Sequence, residues 1–313
     1  EQRHFADAAD LLGTSLPITV ERDLPICNIW QLGARGRLHL LRGEWDEALR
    51  DADTVLGSHG APLGRAWAEI IRGLVGLRRG EGTPSAHLDR AWELAGRLRE
   101  PLRTLPATAA LVEQRWLTGI EDSRIDAALE ILPRGGGASK ALEWSAGDLA
   151  IWLHRIGRVV PDGVMVAEPY RIHLAGDAAA AAAAWARLGE PYSQALALFD
   201  TGVDADALRA LAILDRLGAT AAAAKVRQQL RDRGLANLPA SPRASTRANP
   251  AGLTGRQMEV LALLGEGLSN AQLAARLYIS AKTVDHHISA ILTKLGAASR
   301  MEAVHIARTS GII

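Results

Sequence analysis

Cysteine is almost absent: Cys27 stands alone in 313 residues, which excludes an internal disulfide and any site built on a cysteine pair, and fits a reducing compartment. Nothing near Cys27 in the sequence suggests a base to activate it, so it reads as a packing residue. No apolar run approaches the roughly 20 residues that span a bilayer, and the opening EQRHFADAAD has no cationic stretch followed by an apolar one. No membrane segment is expected, and the expected location is cytoplasmic. The chain begins at Glu1 rather than Met, so part of a longer protein is expected upstream. A phosphate-cradling loop is missing as well: the one glycine-rich stretch, GGGASK at Gly135 to Lys140, fails the G-x-x-x-x-G-K-[ST] spacing and follows no strand. ATP is therefore assigned to no residue, and no cofactor is expected. Acidic residues such as Glu143, Asp148 and Asp162 come without a nucleophile and base or a ligand cluster, so no catalytic residue is named and no enzyme is expected.

What is present is a balanced composition, 48 % hydrophobic and 23 % charged, which implies neither disorder nor a membrane protein. The net charge of +1 conceals a local excess: Lys225, Arg227, Arg231, Arg233, Arg243 and Arg247 face only Asp232. Within that excess lies NLPASPRASTRANPAGLT, rich in Pro, Ser and Ala, which cannot bury a face and reads as a linker over residues 237–252. All eight tryptophans precede it. Two units of different construction are expected, 1–236 and 253–313.

Period-two alternation of β-branched residues is scarce in the first unit, while Ala, Leu, Arg and Glu dominate, so an all-α fold is expected. The helices come in pairs. RGEWDEALRDADTVL is echoed by RRGEGTPSAHLDRAWELA, with Leu49, Ala52 and Val55 matching Leu88, Ala91 and Leu94. The stretches EDSRIDAALEIL and AGDAAAAAAAWARLG again place a turn before an Ala-rich helix. This spacing, with Gly43, Trp45 and Ala48 in a Gly-x-aromatic-x-x-Ala pattern, resembles tetratricopeptide-like repeats. An irregular helical bundle is the competing reading.

Four short helices are expected after the linker: Gly255 to Leu264, Asn270 to Leu277, Ala281 to Leu295 and Arg300 to Thr309. Thr254 with Gln257, Ser269 with Gln272 and Ser299 with Glu302 have the capping-box spacing, and Ser280 caps the third helix without such a partner. Only YIS separates the second helix from the third, as in a helix-turn-helix. On the third helix Val284, Ile288, Ile291 and Leu295 form one apolar stripe, expected to pack on Val260, Leu261, Leu264, Leu273 and Leu277. Its other face is polar and partly cationic. That face suits a polyanion or, equally, plain solvent; in a helix-turn-helix the early exposed residues Lys282, Thr283, Asp285, His286 and Ser289 would reach base edges in the major groove. Asp285 is expected to pair with Lys282 one turn back, with acceptance from a cytosine amine as the alternative. His286 and His287 diverge by about 100° on a helix and are no metal site.

LTGRQMEVLALLGEGLSNAQLAARLYISAKTVDHHISAILTKLGAASRMEAVHIA, Leu253 to Ala307, resembles the LuxR-type DNA-binding domain in its Leu-Thr-x-Arg start, its Gly-Leu-Ser-Asn, its Lys-Thr-Val and its Lys-Leu-Gly. The resemblance implies double-stranded DNA as partner. It implies phosphate and groove contacts from Lys282, Thr283, His287 and Lys294, with Arg256 included in the same interface, and base choice from Asp285, His286 and Ser289. It further implies a homodimer through the last helix, at Ala303, Val304, Ile306 and Ala307; packing within its own domain is the alternative. The linker residues Arg243 and Arg247 reach phosphate or remain solvated. The helical region is similar to the part preceding this domain in large ATP-binding LuxR-like regulators, whose nucleotide-binding domain would lie upstream. The expected function is a sequence-specific, dimeric transcriptional regulator whose repeats bind a protein or a small molecule. The alternative is an interaction scaffold whose C-terminal module mainly serves assembly.

Overall fold

The computed structural model describes residues 3–58, 62–133, 140, 142–235, 238–239, 252–310 and 312–313. The chain divides into two compact units, Glu1–Pro239 and Ala240–Ile313. The described residues of the first form α1 (Phe5–Glu21), α2 (Pro25–Arg42), α3 (Trp45–Gly57), α4 (Pro62–Arg79), α5 (Pro84–Leu98), α6 (Pro101–Thr118), α7 (Leu142–Arg155), α8 (Glu168–Leu174), α9 (Ala178–Leu188), α10 (Pro191–Asp200), α11 (Asp204–Leu217) and α12 (Thr220–Asp232). The second holds α13 (Gly255–Gly265), α14 (Asn270–Leu277), α15 (Ala281–Leu295) and α16 (Arg300–Thr309). The all-α expectation holds for the described residues.

Proline and glycine mark where helices of the first unit start and stop. α2, α5, α6 and α10 begin with proline in the first turn, where its missing N–H has no intrahelical partner to lose. α2 ends at Gly43, whose φ of 80° turns the chain back so that its N–H and that of Glu44 bond to Leu40 and His39 carbonyls. Gly43 also has no room for a side chain, because a Cβ there would lie 2.5 Å from Leu217. The turn delivers Trp45, 2 % exposed, into the core, with its indole N–H donating to the Leu40 carbonyl.

Consecutive helices pack on one another through the whole unit. α3 buries Trp45, Ala48, Ala52 and Val55, and α5 buries Leu88, Ala91 and Ala95. Of the echoed residues, Ala52, Val55, Leu88 and Ala91 are buried, while Leu49 and Leu94 are half-buried. The expected helix in EDSRIDAALEIL is absent: Ser123–Ile125 is a single 3-10 turn followed by i to i+3 turns at Ala128 and Glu130. The Asp122 carboxylate accepts from the Arg124 N–H and guanidinium, which favours this tight turn. Ile125, Ala128 and Leu132 are still buried, so the apolar spacing is used without the α-helix.

An open helical array would keep its early and late helices apart. Here α10 packs on α2, and α12 packs on both α4 and α6. Arg78 on α4 makes a two-pronged ion pair with Glu113 on α6, at 2.7 and 2.8 Å, and Tyr192 on α10 donates to the same carboxylate at 2.8 Å. The Thr220 hydroxyl at the start of α12 donates to the Arg79 carbonyl. The inner side of the early hairpins is thus filled by the later ones.

Candidate nucleic-acid interface

Each helix of the second unit starts at a side chain that satisfies its free N–H groups. Thr254 and Ser269 form complete capping boxes with Gln257 and Gln272. Ser280 accepts from the Thr283 N–H at 3.1 Å and has no reciprocal partner, as expected. At α16, Ser299 accepts from the Glu302 N–H, but the Glu302 carboxylate turns one residue further back, to the Ala298 N–H. The observed bounds differ from the expected ones only at Gly265, which still belongs to α13.

Leu253, Val260, Leu261, Leu264, Leu273, Val284, Ile291, Ala303 and Ala307 form the core, with Ile288, Leu295 and Leu277 packed at its edge. Burying Val284 and Ile291 fixes the rotation of α15. It turns Lys282, His286, Ser289 and Thr293 to solvent in one exposed row. Thr283, His287 and Ala290 form the half-buried row beside it. The Thr283 hydroxyl lies 2.8 Å from that of Ser280, so the cap and the expected groove contact share one oxygen pair.

Asp285 does not pair with Lys282. Its carboxylate accepts from the Asn270 side-chain amide at the start of α14, which reaches across the turn. The sequence favoured the neighbour on the same helix; the steep crossing of α14 and α15 brings a residue fifteen positions away closer. Lys282 is left exposed without a partner among the described residues, and so are Arg276 and Arg300. Arg276, in the last turn of α14, was not singled out from sequence; it follows from the placement of that turn beside α15.

Three cations are held by their own domain. The Lys294 ammonium donates to the Gly252 carbonyl at 2.7 Å and to Gln257 at 2.8 Å, and burial lowers its pKa. Arg256 pairs with Glu259 at 2.6 Å and donates to the Leu277 carbonyl, bracing α13 on the end of α14. Arg308 donates to the Gly265 carbonyl at 2.8 Å. Lys294 and Arg256 are thus placed first as internal ties, with only their remaining N–H groups left for an anion. Arg243 and Arg247 lie outside the described residues.

Two of the expected dimer residues point inward. Ala303 and Ala307 are fully buried, because α16 packs on α13 and α15 through their row, and they cannot reach a second copy. Val304 and Ile306 are half-buried, and the large apolar side chain that α16 exposes is Met301. Tyr278, in the turn between α14 and α15, is 95 % exposed and sits at φ 52°.

Residues 251–307 match the family described as bacterial regulatory proteins, luxR family. The chain is 49 % identical over 51 residues to the transcriptional regulatory protein LnrK of Bacillus subtilis, covering 16 % of this chain and 23 % of that protein. It is 40 % identical over 79 residues to the DNA-binding transcriptional activator DevR/DosR of Mycobacterium tuberculosis, covering 25 % and 36 %. A third relative, the HTH-type transcriptional regulator Mb0914c of Mycobacterium bovis, is 42 % identical over 59 residues, 19 % of this chain and 7 % of that protein. The chain therefore spans well under half the length of these relatives. No solved structure matches it significantly. No described helix is long and apolar enough to cross a membrane. Capped helices, a three-residue turn and a matched family sequence converge on one conclusion: the C-terminal unit is a LuxR-family helix-turn-helix DNA-binding domain.

Proposed function

We propose that the whole chain is a sequence-specific transcriptional regulator that places α15 in the major groove of double-stranded DNA and works as a homodimer, with the helical unit sensing a small molecule or a protein. The observation that carries the reading is the exposed row Lys282, His286, Ser289 and Thr293, flanked by the exposed Arg276. A helix entering the groove N-terminus first presents its early exposed residues to base edges and its flanking cations to phosphate. Asp285, held by Asn270, would report on bases as an oriented acceptor rather than as a loose anion. Thr283 and His287 border the groove, and Lys294 and Arg256 offer their remaining N–H groups to phosphate. Arg243 and Arg247 would add contacts from the linker. Dimerisation would use Met301 with Val304 and Ile306.

We take the helical unit as tetratricopeptide-like and the chain as the C-terminal part of a large ATP-binding LuxR-like regulator, on the sequence resemblances alone, which gives that unit the sensor role. A cytoplasmic location without a cofactor bound to this chain accompanies that reading. Selection of duplexes from a random library by the intact chain, repeated with Lys282→Ala, tests it. Enrichment of a two-fold-related site that the variant loses is expected; bound duplexes without enrichment, from a folded chain, would turn the reading to assembly rather than sequence recognition.

A further inference from the structure

Asn270 opens α14 but does not cap it, because Ser269 and Gln272 form that capping box. Its side-chain amide instead donates across the turn to Oδ1 of Asp285 on α15, while its own Oδ1 is buried with no hydrogen-bond partner. The side chain is committed to that one contact. The two helices do not depend on it to stay together, since Leu273 and Val284 already join them in the core without any exposed surface. A tie that leaves one of its own polar groups unsatisfied calls for another purpose.

Asp285 follows Lys282 by three residues and precedes Ser289 by four, so the three lie on one side of α15, and all are exposed. An ionised carboxylate can only accept hydrogen bonds. With Oδ1 held by Asn270, Oδ2 has no partner among the described residues, and its direction is fixed from outside its own helix. The carboxylate also stands beside the first turn of α14, whose backbone N–H groups carry partial positive charge and offset part of the repulsion from DNA. In the major groove cytosine offers a donor alone, its N4 amine. Adenine has an amine too, but next to the N7 acceptor, whose lone pair opposes a carboxylate.

We propose that Asn270 is a positioning residue for base choice, aiming Oδ2 of Asp285 at the N4 amine of one cytosine in each half-site. The inference rests on the proposed placement of α15 in the major groove, and deepens it by naming a base and a residue outside the recognition helix that selects it.

The test presents the intact chain with a random duplex library at one fixed salt concentration and compares the pools selected by the parent, Asp285→Asn, Asn270→Ala and the double variant. In the parent pool one position per half-site should hold cytosine in excess of every other base by about fivefold or more. Asp285→Asn keeps the shape, but its amide oxygen takes the Asn270 contact and its NH2 group, a donor, faces the groove. That position alone should then change from cytosine to guanine, whose edge there offers acceptors only. Asn270→Ala should level the cytosine preference while the rest of the consensus and the melt are kept, and the double variant should show no preference for guanine. If Asn270→Ala does not fold, the change to guanine in Asp285→Asn decides, because it needs the tied orientation, and its absence overturns the proposal. A consensus in which no position answers to Asp285, or in which that position is the same with and without Asn270, overturns this inference alone. A folded parent chain that enriches no sequence overturns the proposed function and this inference with it.

Discussion

Lys282 and His286 stand one turn apart on the same exposed row of α15, yet they should fail in different ways. Lys282 has a point charge and no partner among the described residues, so Lys282→Ala should weaken binding to all duplexes alike and lower the salt slope by about one. His286→Ala or Ser289→Ala should instead change which bases are preferred, seen as an altered consensus in the selected pool. Tyr278 concerns stability: a β-carbon in the left-handed region costs about 1–2 kcal/mol, against about 0.5–1 kcal/mol of extra chain entropy for glycine. Tyr278→Gly should therefore stabilise the small domain by up to about 1.5 kcal/mol, measured as a shift in its urea midpoint. An unchanged or lowered midpoint would mean that the side chain holds the turn.

Among the elements, α15 owes its place to two residues without any exposed surface, Val284 and Ile291. Val284→Asp buries an unpaired carboxylate among Val260, Leu261 and Leu273, and should unfold the second unit at a cost of several kcal/mol while the first still melts cooperatively. Circular dichroism across the two transitions reads this. The helices of this unit were legible in sequence because their signals are local: Thr254, Ser269 and Ser280 cap the following residues within three positions, and the apolar stripe repeats within one helix. What lay further off was not legible. Lys294 finds Gly252 forty-two residues away, Asp285 finds Asn270 rather than Lys282, and the inward turn of Ala303 and Ala307 depends on how α16 meets α13. In EDSRIDAALEIL the helical spacing was present, but the local acceptor at Asp122 won the backbone.

At the scale of the whole helical unit, buried charges join its two halves, and Glu190 shows the sign of that coupling. Burial pushes its carboxyl from 4.5 up to about 7, although Arg3 beside it pulls the other way. The folded chain thus keeps a proton that the unfolded chain has released, and the stability this contributes is full below about pH 4.5 and is lost as pH rises through about 7. Glu190→Gln should flatten the fall in urea stability between about pH 5 and 8, by about 2–3 kcal/mol at most from the size of the shift. A variant with the slope of the parent would show that the carboxyl does not titrate there.

The return of α12 to α4 has a consequence for the chain during its synthesis. Thr220 and the Arg79 carbonyl that it meets are 141 residues apart. At about 5–20 residues per second, the early hairpins leave the ribosome roughly 7–28 s before the helix that covers them is made. For that interval the side of α4 that α12 covers stands open on a tethered, half-finished chain. A chain stalled before α12 is therefore expected to aggregate sooner than the complete chain.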